Sequence, residues 1–114
     1  MIDDRIFRAL ADPSRRAMVE RLARKPHTST ELGASFALSA PAVSQHLGVL
    51  RDAGLVEVET VGRYRVYTLA PGPLLELGAW ADALEAQWSA RLDALETVVG
   101  RLQAKEKRSR RGTP

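Results

Sequence analysis

Ala40, Pro41, Ser44, Gln45, Gly48 and Arg51 recur at intervals of one or three residues along one arc of a helix, where a solvated helix more often carries Glu and Lys. Apart from Arg51, that arc offers hydroxyl, amide and nearly bare backbone in place of charge. Small side chains let a helix come close to a flat polar surface, and Ser44 and Gln45 can exchange hydrogen bonds with it. A Gln set against adenine is a standard pairing in the major groove of DNA. Ser39 precedes the arc and His46 lies on its flank. The alternative for this small-faced arc is a helix packed inside a bundle. A second group, Arg63, Tyr64 and Arg65, places two arginines two positions apart, on one side if the strand is regular, with an aromatic ring between them. Guanidinium groups at such a tip suit phosphate contact or insertion into a minor groove. A solvated hairpin with incidental arginines is the plainer alternative.

Other chemistries find no residues to perform them. The chain has no cysteine, and its two histidines, His27 in a loop and His46 on a helix, lie far apart in sequence. No Ser/His/acid set, Gly-rich phosphate loop or histidine pair at metal spacing occurs. Ser44 and His46 are two apart on a helix and point about 160° from one another around its axis. Asp82, Glu85, Asp93 and Glu96 alone make a poor transition-metal site. No enzymatic activity, no cofactor and no metal is expected.

The elements that must position the two groups are marked by their caps. Asp12 before Pro13 reads as an N-cap followed by proline at the first helical position, with Ile6, Phe7 and Leu10 forming an apolar face before it and Met18 and Leu22 after it. Arg15 and Arg16, in the first turn, are expected to be solvated. A loop, Arg24-Lys25-Pro26-His27, leads to Thr28, which with Glu31 predicts a capping box; Leu32 and Phe36 fall on one face of the short helix that follows. Ser39 and Pro41 start the next helix near Ala40, Val43, Leu47 and Leu50 turn its apolar stripe inward, and Gly54 stops it. Leu55–Val61 and Arg65–Leu69 alternate around Gly62 and predict a β-hairpin. Two short helices followed by a basic-tipped hairpin give the fold class: mainly α with a β-hairpin wing, a winged helix-turn-helix with a long C-terminal dimerisation helix.

That last helix follows Ala70-Pro71-Gly72-Pro73. Leu77, Ala81, Leu84, Trp88, Leu92, Leu95, Val99 and Leu102 then recur three or four residues apart, with one stutter between Trp88 and Leu92. A helix of about 28 residues runs roughly 42 Å, more than a domain of this size covers by itself. A second copy of the same helix is the economical partner. Phe7, Leu77, Trp80, Leu84, Trp88, Leu92, Leu95 and Val99 are therefore the expected dimer interface. Trp80 and Trp88, about two turns apart, serve as its anchors or as one wall of an apolar effector pocket.

At 114 residues one domain is expected, over residues 1–102, with a basic, disordered tail at 103–114. The net charge of +3 argues little for nucleic acid, because residues 105–114 carry +4 and leave −1 for the rest. No apolar leader precedes the charged start and no continuous apolar span follows, so membrane insertion and secretion lack support and the cytoplasm is the default.

Four blocks in register, Ala9-Leu10-Ala11-Asp12-Pro13-Ser14-Arg15-Arg16, Pro41-Ala42-Val43-Ser44-Gln45-His46-Leu47, Leu50-Arg51-Asp52-Ala53-Gly54-Leu55-Val56 and Gly62-Arg63-Tyr64-Arg65-Val66-Tyr67, resemble the signature of the ArsR-type bacterial transcriptional regulators. They cover about residues 5 to 69. The resemblance implies a homodimeric repressor on an inverted-repeat operator in double-stranded DNA, with Ser44 and Gln45 at DNA-reading positions and Arg63 in the wing. Two departures matter. Ala40 stands where the family commonly has a base-contacting Gln and can offer only a methyl contact. Glu31-Leu32-Gly33-Ala34-Ser35-Phe36 replaces the paired cysteines of thiolate-sensing relatives. The expected DNA-binding set is Ser39, Ala40, Pro41, Ser44, Gln45, His46, Arg51, Arg63, Tyr64 and Arg65. A winged-helix protein-interaction module and a repressor with an apolar effector pocket at the dimer interface are the alternatives.

Overall fold

The computed structural model describes residues 2–111 and divides the chain into two compact units, Met1–Gly78 and Ala79–Pro114. The first unit contains α1 (Asp4–Ala11), α2 (Pro13–Arg24), β1 (His27–Thr28), α3 (Ser29–Phe36), α4 (Ala40–Asp52), β2 (Val56–Val61), β3 (Tyr64–Leu69) and the start of α5 (Gly72–Arg111).

Each of the helices α1 to α4 begins where a side chain caps it. The Asp3 carboxylate accepts from the Arg5 N–H, that of Asp12 from the Arg15 N–H with Pro13 following, and the Ser39 hydroxyl from the Ala42 N–H. At α3 the capping box is complete: Thr28 Oγ1 accepts from Glu31 N at 3.1 Å, and Glu31 Oε1 from Thr28 N at 3.2 Å. α4 ends in a Schellman motif, in which Leu55 N donates to Leu50 O and Gly54 N to Arg51 O, both at 2.9 Å. The motif needs a left-handed residue, and Gly54 supplies it at φ +75 without a Cβ clash.

The α1–α2 corner holds the arginines that were expected to be solvated. Arg15 donates to the carbonyls of Ala9 (2.7 Å) and Arg8 (2.9 Å), and Arg16 to those of Leu10 (2.7 Å) and Ala11 (3.0 Å). These are the last four carbonyls of α1, which have no partner inside the helix. Asp12 turns the chain so that the next helix presents its first-turn arginines to the end of the preceding one.

A single core joins these elements: Met18 and Leu22 of α2, Leu32 of α3, Val43, Leu47 and Leu50 of α4, Leu55, and Tyr67 of β3 are all buried. The sheet order is β1-β3-β2, antiparallel throughout, with His27 opposite Tyr67 and Val58 opposite Tyr67 on the other side. β1 corrects the expected loop at His27. Its imidazole is buried, with Nδ1 at 2.9 Å from the Lys25 carbonyl.

In the second unit the side chains of residues 79–109 are exposed. Of the expected dimer residues, Leu77 in the first unit is half-buried and Phe7 is 40% exposed; Trp80, Leu84, Trp88, Leu92, Leu95 and Val99 range from 38% to 58% exposed. The helix does not stop at Leu102 but continues to Arg111, so residues 103–111 of the expected disordered tail are helical. Gln103, Ala104, Lys105, Glu106 and Lys107 are good helix formers with no Gly or Pro among them. Residues 112–114 of that tail lie outside the described residues. Among the described residues no helix is long and apolar enough to cross a membrane.

Candidate nucleic-acid interface

The buried stripe of Val43, Leu47 and Leu50 fixes the rotation of α4, and with it the opposite face. Ala40, Pro41, Ser44, Gln45, Gly48 and Arg51 are all exposed there. Among the described residues no ion pair involves this arc, and no carboxylate interrupts it, since the one acid of α4, Asp52, sits in its last position. Ser39 is exposed, but its hydroxyl is committed to the cap, 3.3 Å from Ala42 N. A surface of methyl, hydroxyl and amide groups on a rigid helix can enter a groove closely and exchange hydrogen bonds with base edges.

His46 stands apart from the rest of the expected set. Its ring is half-buried on the flank, with Nδ1 3.4 Å from Arg15 Nη1 and 3.9 Å from Asp12 Oδ2. It ties α4 to the α1–α2 corner. The Asp12 carboxyl is itself held below the usual carboxylate range, first by the Arg15 backbone N–H it accepts, then by the charges of Arg15 and His46, with desolvation opposing.

The hairpin closes with a two-residue turn, because Val61 pairs with Tyr64 and only Gly62 and Arg63 lie between them. Gly62 takes φ +61 at the first central position, the demand of a type II′ turn. Arg63 therefore belongs to the turn and is exposed at its tip; Tyr64 beside it is 56% exposed. Arg65 does not share a side with Arg63 through strand alternation, since β3 starts only at Tyr64. It shares the face of buried Tyr67 instead and overhangs α3 and α4. A cavity of about 400 Å3 lies beneath it, lined by Ser29, Thr30, Ala34, Leu38, Ser44 and Tyr67 among others. Sequence reasoning did not find this cleft, which three elements assemble. Ala40, Pro41, Ser44, Gln45 and Arg51 are thus brought onto one face, Arg63 and Tyr64 to a separate tip, and Arg65 between the two groups.

Metal-ligating residues do not gather anywhere comparable. Among the described residues no group of three His, Cys, Asp or Glu side chains is placed to hold an ion.

The family model described as a helix-turn-helix domain matches residues 10–59, from the end of α1 into β2. The chain is 51% identical over 96 residues to the HTH-type transcriptional regulator Rv2034 of Mycobacterium tuberculosis, covering 84% of this chain and 87% of the relative. It is 34% identical over 96 residues to a probable mercury resistance operon repressor of Streptomyces lividans, covering 84% and 77%. The crystal structure of an ArsR family transcriptional regulator superposes with a TM-score of 0.71 at 35% identity, covering 75% of this chain and 94% of that one.

Proposed function

The chain belongs to the ArsR-type family of winged helix-turn-helix transcriptional regulators, DNA-binding proteins and not enzymes, and from that premise we propose that it is a cytoplasmic, homodimeric repressor of an inverted-repeat operator that does not use metal as its signal. The observation that carries the reading is the exposed arc of α4, without a carboxylate and with Arg51 at its end, beside a wing tipped by Arg63. In this reading α4 enters a major groove, Ser44 and Gln45 meet base edges, Ala40 offers a methyl to thymine, and Arg51 lies toward the backbone. Arg63 grips flanking phosphate or the minor groove, with Tyr64 against it.

Two equal half-sites require a two-fold axis, and the apolar row from Trp80 to Val99, exposed in the single chain, supports placing that axis along α5. The repressor reading draws on the name of the Streptomyces relative. Its mercury does not transfer: a soft-metal site needs thiolates, and this sequence contains no cysteine.

The test is footprinting on the DNA beside the protein's own gene, with the full chain and with a chain truncated after Ala86. The full chain should sediment as a dimer and protect two half-sites about one helical turn apart or a multiple of it. The truncated chain, which keeps every proposed DNA-contacting residue, should lose both properties. A truncated chain that stays dimeric and protects the same sites refutes the assigned interface, and the absence of any protected site refutes the operator reading.

A further inference from the structure

The cleft beneath Arg65 has the size and composition of a ligand site. Its volume of about 400 Å3 falls within the range of about 300–1,000 Å3 typical of small-molecule pockets. The accessible apolar floor is formed by Ala34, Leu38 and Ala40, with the buried core residues Val43, Leu47 and Tyr67 behind them. Around it stand the hydroxyls of Ser29, Thr30 and Ser44 and the guanidinium of Arg65. No carboxylate lines the cleft, and among the described residues Arg65 forms no ion pair. An apolar floor, hydroxyls at the edge and one uncompensated cation complement a ligand with an anionic head and an apolar body. A DNA phosphate would satisfy Arg65, but it is polar throughout and would leave the floor uncovered.

We propose that this cleft binds a small amphipathic carboxylate of the medium-chain fatty acid kind, its head against Arg65 and its chain over the floor of Ala34, Leu38 and Ala40, and that occupancy excludes DNA. Exclusion follows because Ala40 and Ser44 wall the cleft and also stand on the reading face of α4. That second half rests on the DNA reading given above; the binding half does not. The site lies within a single reading head and uses neither tryptophan of α5, so it is distinct from an effector pocket between subunits.

The experiment is calorimetric titration of the full chain with hexanoate, octanoate and decanoate below their micellar concentrations, repeated in the presence of operator duplex. Binding should be saturable at one per chain and should tighten about fourfold for each methylene buried, hence about fifteenfold per two carbons, until the floor is covered. Arg65→Gln should weaken octanoate about fivefold, the most an exposed ion pair supplies, while the chain-length dependence stays. Ala34→Leu, which fills the cleft from an exposed position on α3, should abolish saturable binding with thermal unfolding unchanged. Octanoate should displace the duplex from the natural chain. Absence of saturable binding up to about 5 mM, the absence of a chain-length trend, or binding that Ala34→Leu leaves intact in a folded variant overturns the site. Binding without displacement overturns the exclusion. A chain that takes octanoate but no duplex upholds the cleft and refutes the regulator reading, whereas normal duplex binding with no response to octanoate does the reverse.

Discussion

Replacing Arg15 by alanine tests the α1–α2 corner, because Arg15 and Arg16 make the same kind of contact in different surroundings. Arg15 is half-buried and donates to Ala9 O and Arg8 O, whereas Arg16 is exposed and donates to Leu10 O and Ala11 O. Water can replace Arg16 at both carbonyls. It is hindered at Ala9, a residue fully buried in the core. A hydrogen bond to a charged group contributes about 1.5–3 kcal/mol, and an acceptor left unsatisfied costs about 1–3 kcal/mol. The freed side chain recovers up to about 2 kcal/mol of rotamer entropy. The net loss should be about 1.5 kcal/mol for Arg15→Ala and about 0.5 kcal/mol for Arg16→Ala, the former lowering the unfolding midpoint by about 6–12 °C. Urea and thermal unfolding at one fixed protein concentration give both numbers, since assembly makes the midpoint concentration-dependent. Arg15→Lys should recover less than half of the loss, because one ammonium does not span two carbonyls as a guanidinium fork does. Equal losses for the two alanine variants, or full recovery with lysine, would refute the capping account.

Gln45→Ala should weaken the specific operator by about 1–3 kcal/mol and leave random duplex nearly unchanged, because a base-edge contact carries sequence information; equal losses on both in gel-shift titrations would remove Gln45 from the reading face. Arg63→Ala should weaken all sequences alike and flatten the salt dependence by about one unit of slope, and a loss confined to one base position would instead make the wing a sequence reader. Ala37 caps α3 at φ 53, ψ 42, the left-handed region, so Ala37→Gly should raise stability by about 0.5–1 kcal/mol, part of the relieved strain being offset by a more flexible unfolded chain; a destabilised variant would contradict this. The Asp3 carboxyl is lowered from 3.8 to about 2, chiefly by the Arg5 side chain it accepts from and then by the Arg5 backbone N–H. A group whose folded pKa is depressed stabilises fully above its unfolded value and loses that contribution as pH falls through the folded one. The acid limb of urea midpoints between pH 4 and pH 2 should therefore be shallower in Asp3→Asn, and an unchanged limb would show that the pair contributes nothing to folding.

What was legible in the sequence is what neighbouring residues settle between themselves. The Asp12-Pro13 start, the Thr28/Glu31 box, Ser39 with Pro41 and the Gly54 stop are interactions over one turn of chain, and the structure carries each of them. The stripe of Val43, Leu47 and Leu50 then fixes the exposed arc of α4, so most of the candidate reading face is legible in the sequence. Features that depend on distant partners could not. β1 is two residues long and exists only because His27 and Thr28 meet Tyr67 and Val66. Arg15 and Arg16 have a role only once the corner brings the end of α1 over them. Arg63 and Arg65 share a side only if one regular strand runs through both, and the pairing of Val61 with Tyr64 puts Arg63 in the turn instead. The same distance separates His46 from its neighbours at Asp12 and Arg15, which turn it from the expected contact face toward the corner.

The two units differ in what holds them, and this bears on how regulation by such a dimer works. The reading head closes its own core around Met18, Leu32, Leu47 and Leu50. Residues 79–109, by contrast, leave Trp88, Leu95 and Val99 in solvent. An isolated helix is marginal in water and gains its stability from burying an apolar face. Covering one such side chain contributes about 1.5–3 kcal/mol, while association costs about 4–15 kcal/mol, so several must be covered together. On the proposed dimer, helix formation in the second unit, pairing of two chains and spacing of two reading arcs become one linked equilibrium. Operator occupancy should then rise with about the square of chain concentration below the dimerisation midpoint. An anionic ligand in the Arg65 cleft would act after that step, at one reading arc, without parting the two chains. Effector release and dilution are therefore separable: the first should leave sedimentation unchanged, and the second should not.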